Sequence, residues 1–301
     1  MERYDLIIGD RLYSSWSLRG WLMLVKFGLP VRVRMAGLYD GTLAEDLADL
    51  APARLVPVLR TPDGIVVGET MAMAETLAER HPQAGLYPAD PQARALCRWM
   101  VAEMHAGFSA LRGACPMNLG HGWAGFDPAP AVRDDLARLE ALWALARARH
   151  GADGPWLFGA YTLADAFFAP VATRIASYGL PVGSAAREYV DLHLADPDLR
   201  RWRAMGLAKP HETPPYRMPL DQVPWPGPAA PPGMAVENGP SVNATCPCSG
   251  DPVTHFMALD GHVFGFCTAF CRDKTAADPG AWPAFAALHR QVMDPTRPDP
   301  R

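Results

Sequence analysis

Lysine is almost missing: it occurs only at positions 26, 209 and 274, and arginine supplies the remaining positive charge. Nor is there a basic excess, because 28 Lys and Arg against 32 Asp and Glu leave a formal net charge of −4. Proteins that work chiefly on a polyanion usually carry such an excess, so nucleic-acid binding is excluded as the main role. No uncharged apolar run approaches the roughly 18 residues of a membrane-spanning helix. The opening Met1-Glu2-Arg3-Tyr4-Asp5 lacks the basic-then-apolar order of a signal peptide. No internal repeat or block of like charge is found. What remains is a 301-residue chain, 49% hydrophobic and 20% charged, within the globular range. At about 150 residues per domain it holds roughly two domains and can bury a real core. The expectation is a cytoplasmic protein with no membrane and no nucleic-acid partner.

From Asp5 to about Pro82 strand and helix signals alternate. Leu6-Ile7-Ile8 is a short apolar strand, and Ser17 to Lys26 reads as a helix stopped by Gly28 and Pro30. Val31 to Met35 alternates apolar and basic residues, the pattern of a strand with one wet face. Val56 to Leu59 and Ile65 to Val67 flank Thr61-Pro62-Asp63-Gly64, a turn sequence with glycine where a positive φ is needed. Thr70 to Arg80 is a second helix. From about Pro91 to Leu207 the signals are helical, with three-four apolar spacing in Ala93–His105, Val132–Arg149 and Thr162–Ser177. His211 to Pro240 holds nine of the 31 prolines and reads as a semi-rigid linker without helix or central strand.

Four motifs lie in order along residues 4–207. Tyr13-Ser14-Ser15-Trp16-Ser17-Leu18-Arg19 stands between the first strand and helix. Leu55-Val56-Pro57-Val58-Leu59 precedes the hairpin. Gly68-Glu69-Thr70 opens the second helix, and Thr162-Leu163-Ala164-Asp165 opens a later one. Together they resemble the glutathione transferase family. The serine run is similar to the S-S-C-S-x-R motif of the zeta class, with Trp16 where that class has cysteine. The resemblance implies an α/β thioredoxin-like domain over 1–82 and an all-α helical domain over 90–208. It also implies a homodimer, glutathione as co-substrate, a small electrophile as partner, and conjugation or isomerisation as the reaction. A maleylacetoacetate-isomerase-type activity belongs to the zeta-like motif, from which Trp16 departs.

The residue types suit that chemistry. A free thiol with a pKa of about 8.5 is mostly protonated at neutral pH. A hydroxyl donating to sulfur, at the positive end of a helix, favours the thiolate. By resemblance Ser14 is the catalytic candidate, with Tyr13, Ser15 and Ser17 as alternates; the same serines could instead simply cap the helix. Val56 beside a cis Pro57 would pair with the tripeptide backbone like an added strand. Glu69 and Thr70, at a helix start, would hold the γ-glutamyl end. His105, His121, Trp123 and Met117 are candidates for an acceptor pocket, against the alternative of ordinary core or loop residues. Thr162 and Asp165 form a buried capping box, a structural device.

Four of the six cysteines crowd the tail: Cys246-Pro247-Cys248, then Phe266-Cys267 and Phe270-Cys271. This resembles the YHS and TRASH metal-binding modules, whose F-C-x-x-x-C knuckle precedes an acidic-Pro helix, here Asp278-Pro279 onward. A small module over 241–291 needs a staple, and four thiolates can hold zinc or another soft ion. The tight Cys-x-Cys spacing leaves Cys248 either a ligand or beside the site, with His255 or His262 as a substitute. A non-enzymatic thiol- or metal-sensing adaptor on the same fold is the rival to the enzyme.

Overall fold

The computed structural model describes residues 3–209 and 213–294. Met1 and Glu2 of the leader reading, and His211 and Glu212 at the start of the expected linker, lie outside the described residues. The chain divides into two compact units. Residues 3–194 with 213–227 form the first, and 195–209 with 228–294 form the second.

The first unit begins with a four-stranded sheet of order β2-β1-β3-β4. The central β1 (Tyr4–Ile8) pairs in parallel with β2 (Val31–Met35) and antiparallel with β3 (Val58–Arg60). The short β4 (Val66–Val67) closes the edge on β3. Gly64, at φ +89°, makes the turn between them, where a side chain would be strained. Helix α1 (Ser15–Val25) crosses between β1 and β2 and is buried along most of its length. Its Gly20 lets the Pro57 ring approach closely; a Cβ there would stand 3.1 Å from Cγ of Pro57. A short α2 (Leu43–Asp46), too brief to show a helical period in sequence, precedes β3, and α3 (Thr70–Arg80) follows β4. The order β-α-β then β-β-α is the one expected, and Val31–Met35 and Thr70–Arg80 agree to the residue.

The helical part carries α4 (Pro91–Ala106), α5 (Ser109–Ala114), α6 (Pro130–His150), α7 (Leu163–Ser177) and α8 (Ser184–Ala195). Every residue of α7 is buried, so it is the core helix. Its start is fixed by the Thr162–Asp165 capping box, in which the Thr162 N–H donates to Asp165 Oδ2 at 2.8 Å. Among the described residues, no helix is long and apolar enough to cross a membrane.

The 211–240 stretch differs from a plain linker. Gln222–Val223 forms β6, paired antiparallel with β5 (Gly122–Trp123) within the first unit. Met234–Val236 forms β7, an edge strand of the second unit. Proline excludes central strands but leaves two- and three-residue edge pairings open. The expected helical domain to residue 208 is also cut short: α9 (Pro197–Leu207) groups with the tail.

In the second unit β7, β8 (His255–Leu259) and β9 (His262–Phe266) form an antiparallel sheet. Asp260 and Gly261, both at positive φ, make the two-residue turn that matches strand twist. Helices α10 (Ala269–Ala277) and α11 (Pro283–Met293) follow. The core is Met257, Leu259, Phe264, Phe266 and Phe285 around the buried Cys246. Arg200 of α9 makes a two-point ion pair with Asp278, at 2.7 and 2.9 Å.

Candidate functional site

Four segments of the first unit meet at a cleft of about 180 Å³. It is lined by Trp16, Leu55, Val56, Pro57, Glu69, Thr70 and His105. Trp16 comes from the first turn of α1, Val56 and Pro57 from the loop before β3, Glu69 and Thr70 from the start of α3, and His105 from α4. All four residues expected to hold the tripeptide are therefore brought together, and the Val56–Pro57 bond is cis.

Glu69 sits at φ +56°, a left-handed conformation that costs a non-glycine residue of order 1–3 kcal/mol. The turn brings its carboxylate to 3.7 Å from Nε2 of His105. The buried Thr70 hydroxyl lies 3.4 Å from Nδ1 of the same ring. Burial pushes the His105 imidazole below its ordinary range; Glu69 opposes this, and Arg19 and Arg112 add to it. The first-turn N–H groups of α3 have no partner within their own helix and suit an anion.

The serines of the run open α1 and do not line the cleft among the described residues. Ser14 is the N-cap of α1: its Oγ accepts from the Ser17 N–H at 3.2 Å and donates to Ser17 Oγ at 2.8 Å. Ser17 Oγ in turn accepts from the Gly9 N–H at 3.0 Å. Both serines are buried, and neither lines the cleft. Ser15 accepts from Arg174 Nη2 at 3.4 Å, and the Tyr13 ring packs against Tyr216 at 4.9 Å. The Ser14 O–H that would donate to a sulfur is engaged by Ser17 Oγ, and Trp16 is the residue of the run that lines the cleft. Of the acceptor-pocket candidates only His105 lines it. Met117 is buried in the core, and His121 stacks edge-on against Trp123 at 4.4 Å.

Two arginines stand behind the cleft: Arg19, which the sequence marks only as the end of the serine motif, and Arg112, which it does not mark. The Arg19 guanidinium lies 4.4 Å from the centre of the Trp16 ring, and that of Arg112 lies 4.9 Å from it. An arginine in a helix normally reads as a solvated face, and period alone did not single out Arg19.

In the second unit the ligand atoms of Cys246, Cys248 and Cys271 lie within 4.8 Å of one another. The Cys267 and Cys271 sulfurs are 3.8 Å apart, and the Ser249 hydroxyl donates to Cys267 at 3.2 Å. Two sulfurs on a tetrahedral zinc with Zn–S of about 2.3 Å stand about 3.8 Å apart, so the donor set fits a soft cation. Desolvation pushes the Cys246 thiol up, but N–H donors of Cys267 and Cys248 outweigh it and bring it below its ordinary value. Cys248 thus lies with Cys246 and Cys271, as the ligand alternative has it, while Cys267 is not part of that mutual group and stands beside Cys271. The hairpin at Gly250 folds the chain back, with the Gly250 N–H donating to the Cys246 carbonyl at 2.8 Å. Among the described residues neither His255 nor His262 joins the group, and the His255 ring is bonded to Thr254 at 2.9 Å.

The fold is shared with solved glutathione transferases. Residues 13–80 match the family model described as glutathione S-transferase, N-terminal domain. The chain is 36% identical to maleylacetoacetate isomerase of Rattus norvegicus over 99 residues, 32% of this chain and 44% of that protein. It therefore spans less than half of that relative. A glutathione transferase homologue from Burkholderia gl BGR1, solved with bound glutathione, superposes with a TM-score of 0.51 at 23% identity, covering 68% of this chain and 97% of that one. Glutathione transferase Omega 2S from Trametes versicolor gives 0.50 at 19% identity, covering 66% and 93%.

Proposed function

We propose that the chain is a glutathione-dependent enzyme that uses the thiolate to conjugate or isomerise a small electrophile. The observation that carries this reading is the cleft itself. It joins Val56–Pro57, Glu69–Thr70 and the start of α1 in one place, although they are separated by up to 55 residues of sequence. Val56 offers its backbone to the cysteinyl part of the tripeptide. The start of α3 and the Thr70 hydroxyl take the γ-glutamyl carboxylate, and Glu69 takes its ammonium group. The sulfur then lies toward Trp16 and His105, where the electrophile enters. The partial likeness to maleylacetoacetate isomerase supports isomerisation of an unsaturated acid as one form of the reaction. The reading brings with it a homodimer and a cytoplasmic location, as the resemblance implies.

The tail belongs to the proposal as a YHS/TRASH-like metal-binding module, with Cys246, Cys248, Cys267 and Cys271 holding zinc or another soft ion. Bound metal would supply folding energy to a unit with a small core. A non-enzymatic thiol- or metal-sensing adaptor is favoured by one observation, the commitment of the Ser14 hydroxyl to its cap. Retention on immobilised glutathione followed by a thiol-conjugation assay decides between the two. Retention with turnover supports the enzyme, retention without turnover supports the adaptor, and no retention contradicts both.

A further inference from the structure

Arg19 is completely buried, a rare state for a charged side chain. Its Nε donates to the Phe167 carbonyl at 2.9 Å. Its Nη1 and Nη2 are sealed from solvent and have no hydrogen-bond partner among the described residues. Two more guanidiniums stand nearby. Arg112 donates to the carbonyls of His105 and Gly107, and the buried Arg174 donates to those of Cys115 and Pro170. No carboxylate pairs with any of the three among the described residues; each is held only by carbonyls, a hydroxyl and aromatic rings. The three also repel one another, and burial disfavours the charge of each. A buried charge without a counter-ion costs several kcal/mol, so negative charge placed close to this group is favoured.

The geometry says where it would sit. Long side chains on a helix lean toward its N-terminus, so Arg19 reaches back over Trp16, one turn earlier. The indole is stacked by Arg19 and Arg112 and forms part of the cleft wall. Among the described residues lining the cleft, Glu69 alone carries a carboxylate, and it faces His105.

We propose that the unneutralised charge of Arg19 and Arg112, acting through the Trp16 indole, holds the glutathione sulfur as thiolate, in place of the Ser14 hydroxyl. This rests on the glutathione reading above and names what ionises the sulfur within it. The thiol proton leaves to solvent, and the sulfur lone pair is what attacks. Arg19 and Arg112 are positioning residues: they set the local field without touching the tripeptide. The other ionisable groups facing the cluster are His105 and Glu69 at the cleft, and Cys115, Tyr178 and Tyr216 against Arg174. Burial holds the His105 imidazole below its ordinary range, with Glu69 opposing.

The test is the ultraviolet absorbance of bound glutathione thiolate against pH in the full-length chain, for the unmodified protein, Arg19→Met, Arg112→Met and Ser14→Ala. S-methylglutathione, which has no ionisable thiol, is titrated in parallel. The expected result is a midpoint well below the free thiol in the unmodified protein. Arg19→Met should raise it by about one pH unit, and Arg112→Met should move it the same way. S-methylglutathione affinity should stay within about twofold throughout. If Arg19→Met does not fold, the half-buried Arg112 carries the test. Unmoved midpoints in the arginine variants, or a shift confined to Ser14→Ala, overturn the proposal while leaving the cleft reading intact. Failure of the unmodified protein to bind S-methylglutathione and glutathione overturns both.

Discussion

His193 of α8 should make the first unit sensitive to acid in a way that one substitution removes. The side chain is 1% exposed and its Nε2 has no hydrogen-bond partner among the described residues. The ring is packed edge-on against Trp156 at 5.0 Å and Tyr189 at 4.6 Å. Burial, with the Lys26 charge adding to it, pushes the imidazole down to about 3 from its ordinary 6.5. Because the folded value is depressed, the fold binds fewer protons than the unfolded chain below pH 6.5. That stability is fully present above pH 6.5 and is lost as pH falls toward 3. By pH 5 the loss amounts to about 2 kcal/mol. Asp165 opposes it. Burial outweighs its hydrogen bonds from Thr162, Tyr189 and Leu157 and lifts its carboxyl to about 6 from 3.8. A raised carboxyl favours the fold as pH drops through 6, returning about 1.5 kcal/mol by pH 5. These two groups together therefore cost the unmodified chain about 0.5 kcal/mol between pH 7 and pH 5, and His193→Phe should shift the change over that range by about 2 kcal/mol in favour of the fold. Urea unfolding at both pH values, followed by far-ultraviolet circular dichroism, reads the difference directly. Parallel pH dependence in the two proteins would refute the reasoning, whatever their absolute stabilities.

Three further outcomes follow from the geometry. Ser14→Ala removes an N-cap and should cost about 1 kcal/mol, read as a lower urea midpoint, while Ser14→Asp restores most of it. Glu69→Ala and Thr70→Ala should each weaken glutathione binding roughly tenfold by calorimetry, since a hydrogen bond to a charged group is worth about 1.5–3 kcal/mol. Cys271→Ser and Cys248→Ser should both lower the zinc content of protein purified under reducing conditions, because both sulfurs lie within the cluster. Full zinc retention in Cys248→Ser would return that thiol to the edge of the site.

The parts legible from sequence were those where one physical rule acts locally. Val31–Met35 alternates because one face of β2 is wet, and Thr70–Arg80 carries a helical apolar stripe. The Thr162–Asp165 box announces itself because two orphan helix N–H groups need those two side chains. The parts that were not legible depend on tertiary placement. Arg19 looks like any helical arginine until α7 closes over it. Tyr216 sits in a proline-rich stretch that reads as linker, yet its hydroxyl meets that of Tyr39 at 2.8 Å. The serine run shows hydroxyls at a helix start, but only the Ser14–Ser17 bond reveals that the cap has taken them. The Cys-x-Cys spacing left Cys248 either a ligand or beside the site, because spacing alone does not show the turn that folds Cys248 back toward Cys246.

The claim at the centre of this account is that glutathione occupies the cleft between Val56–Pro57 and Glu69–Thr70. A crystal structure of the protein soaked with glutathione tests it most directly. The account predicts the γ-glutamyl carboxylate at the N–H and hydroxyl of Thr70, and the sulfur beside Trp16. Glutathione bound elsewhere, or a cleft left without it at saturating concentration, would contradict the account.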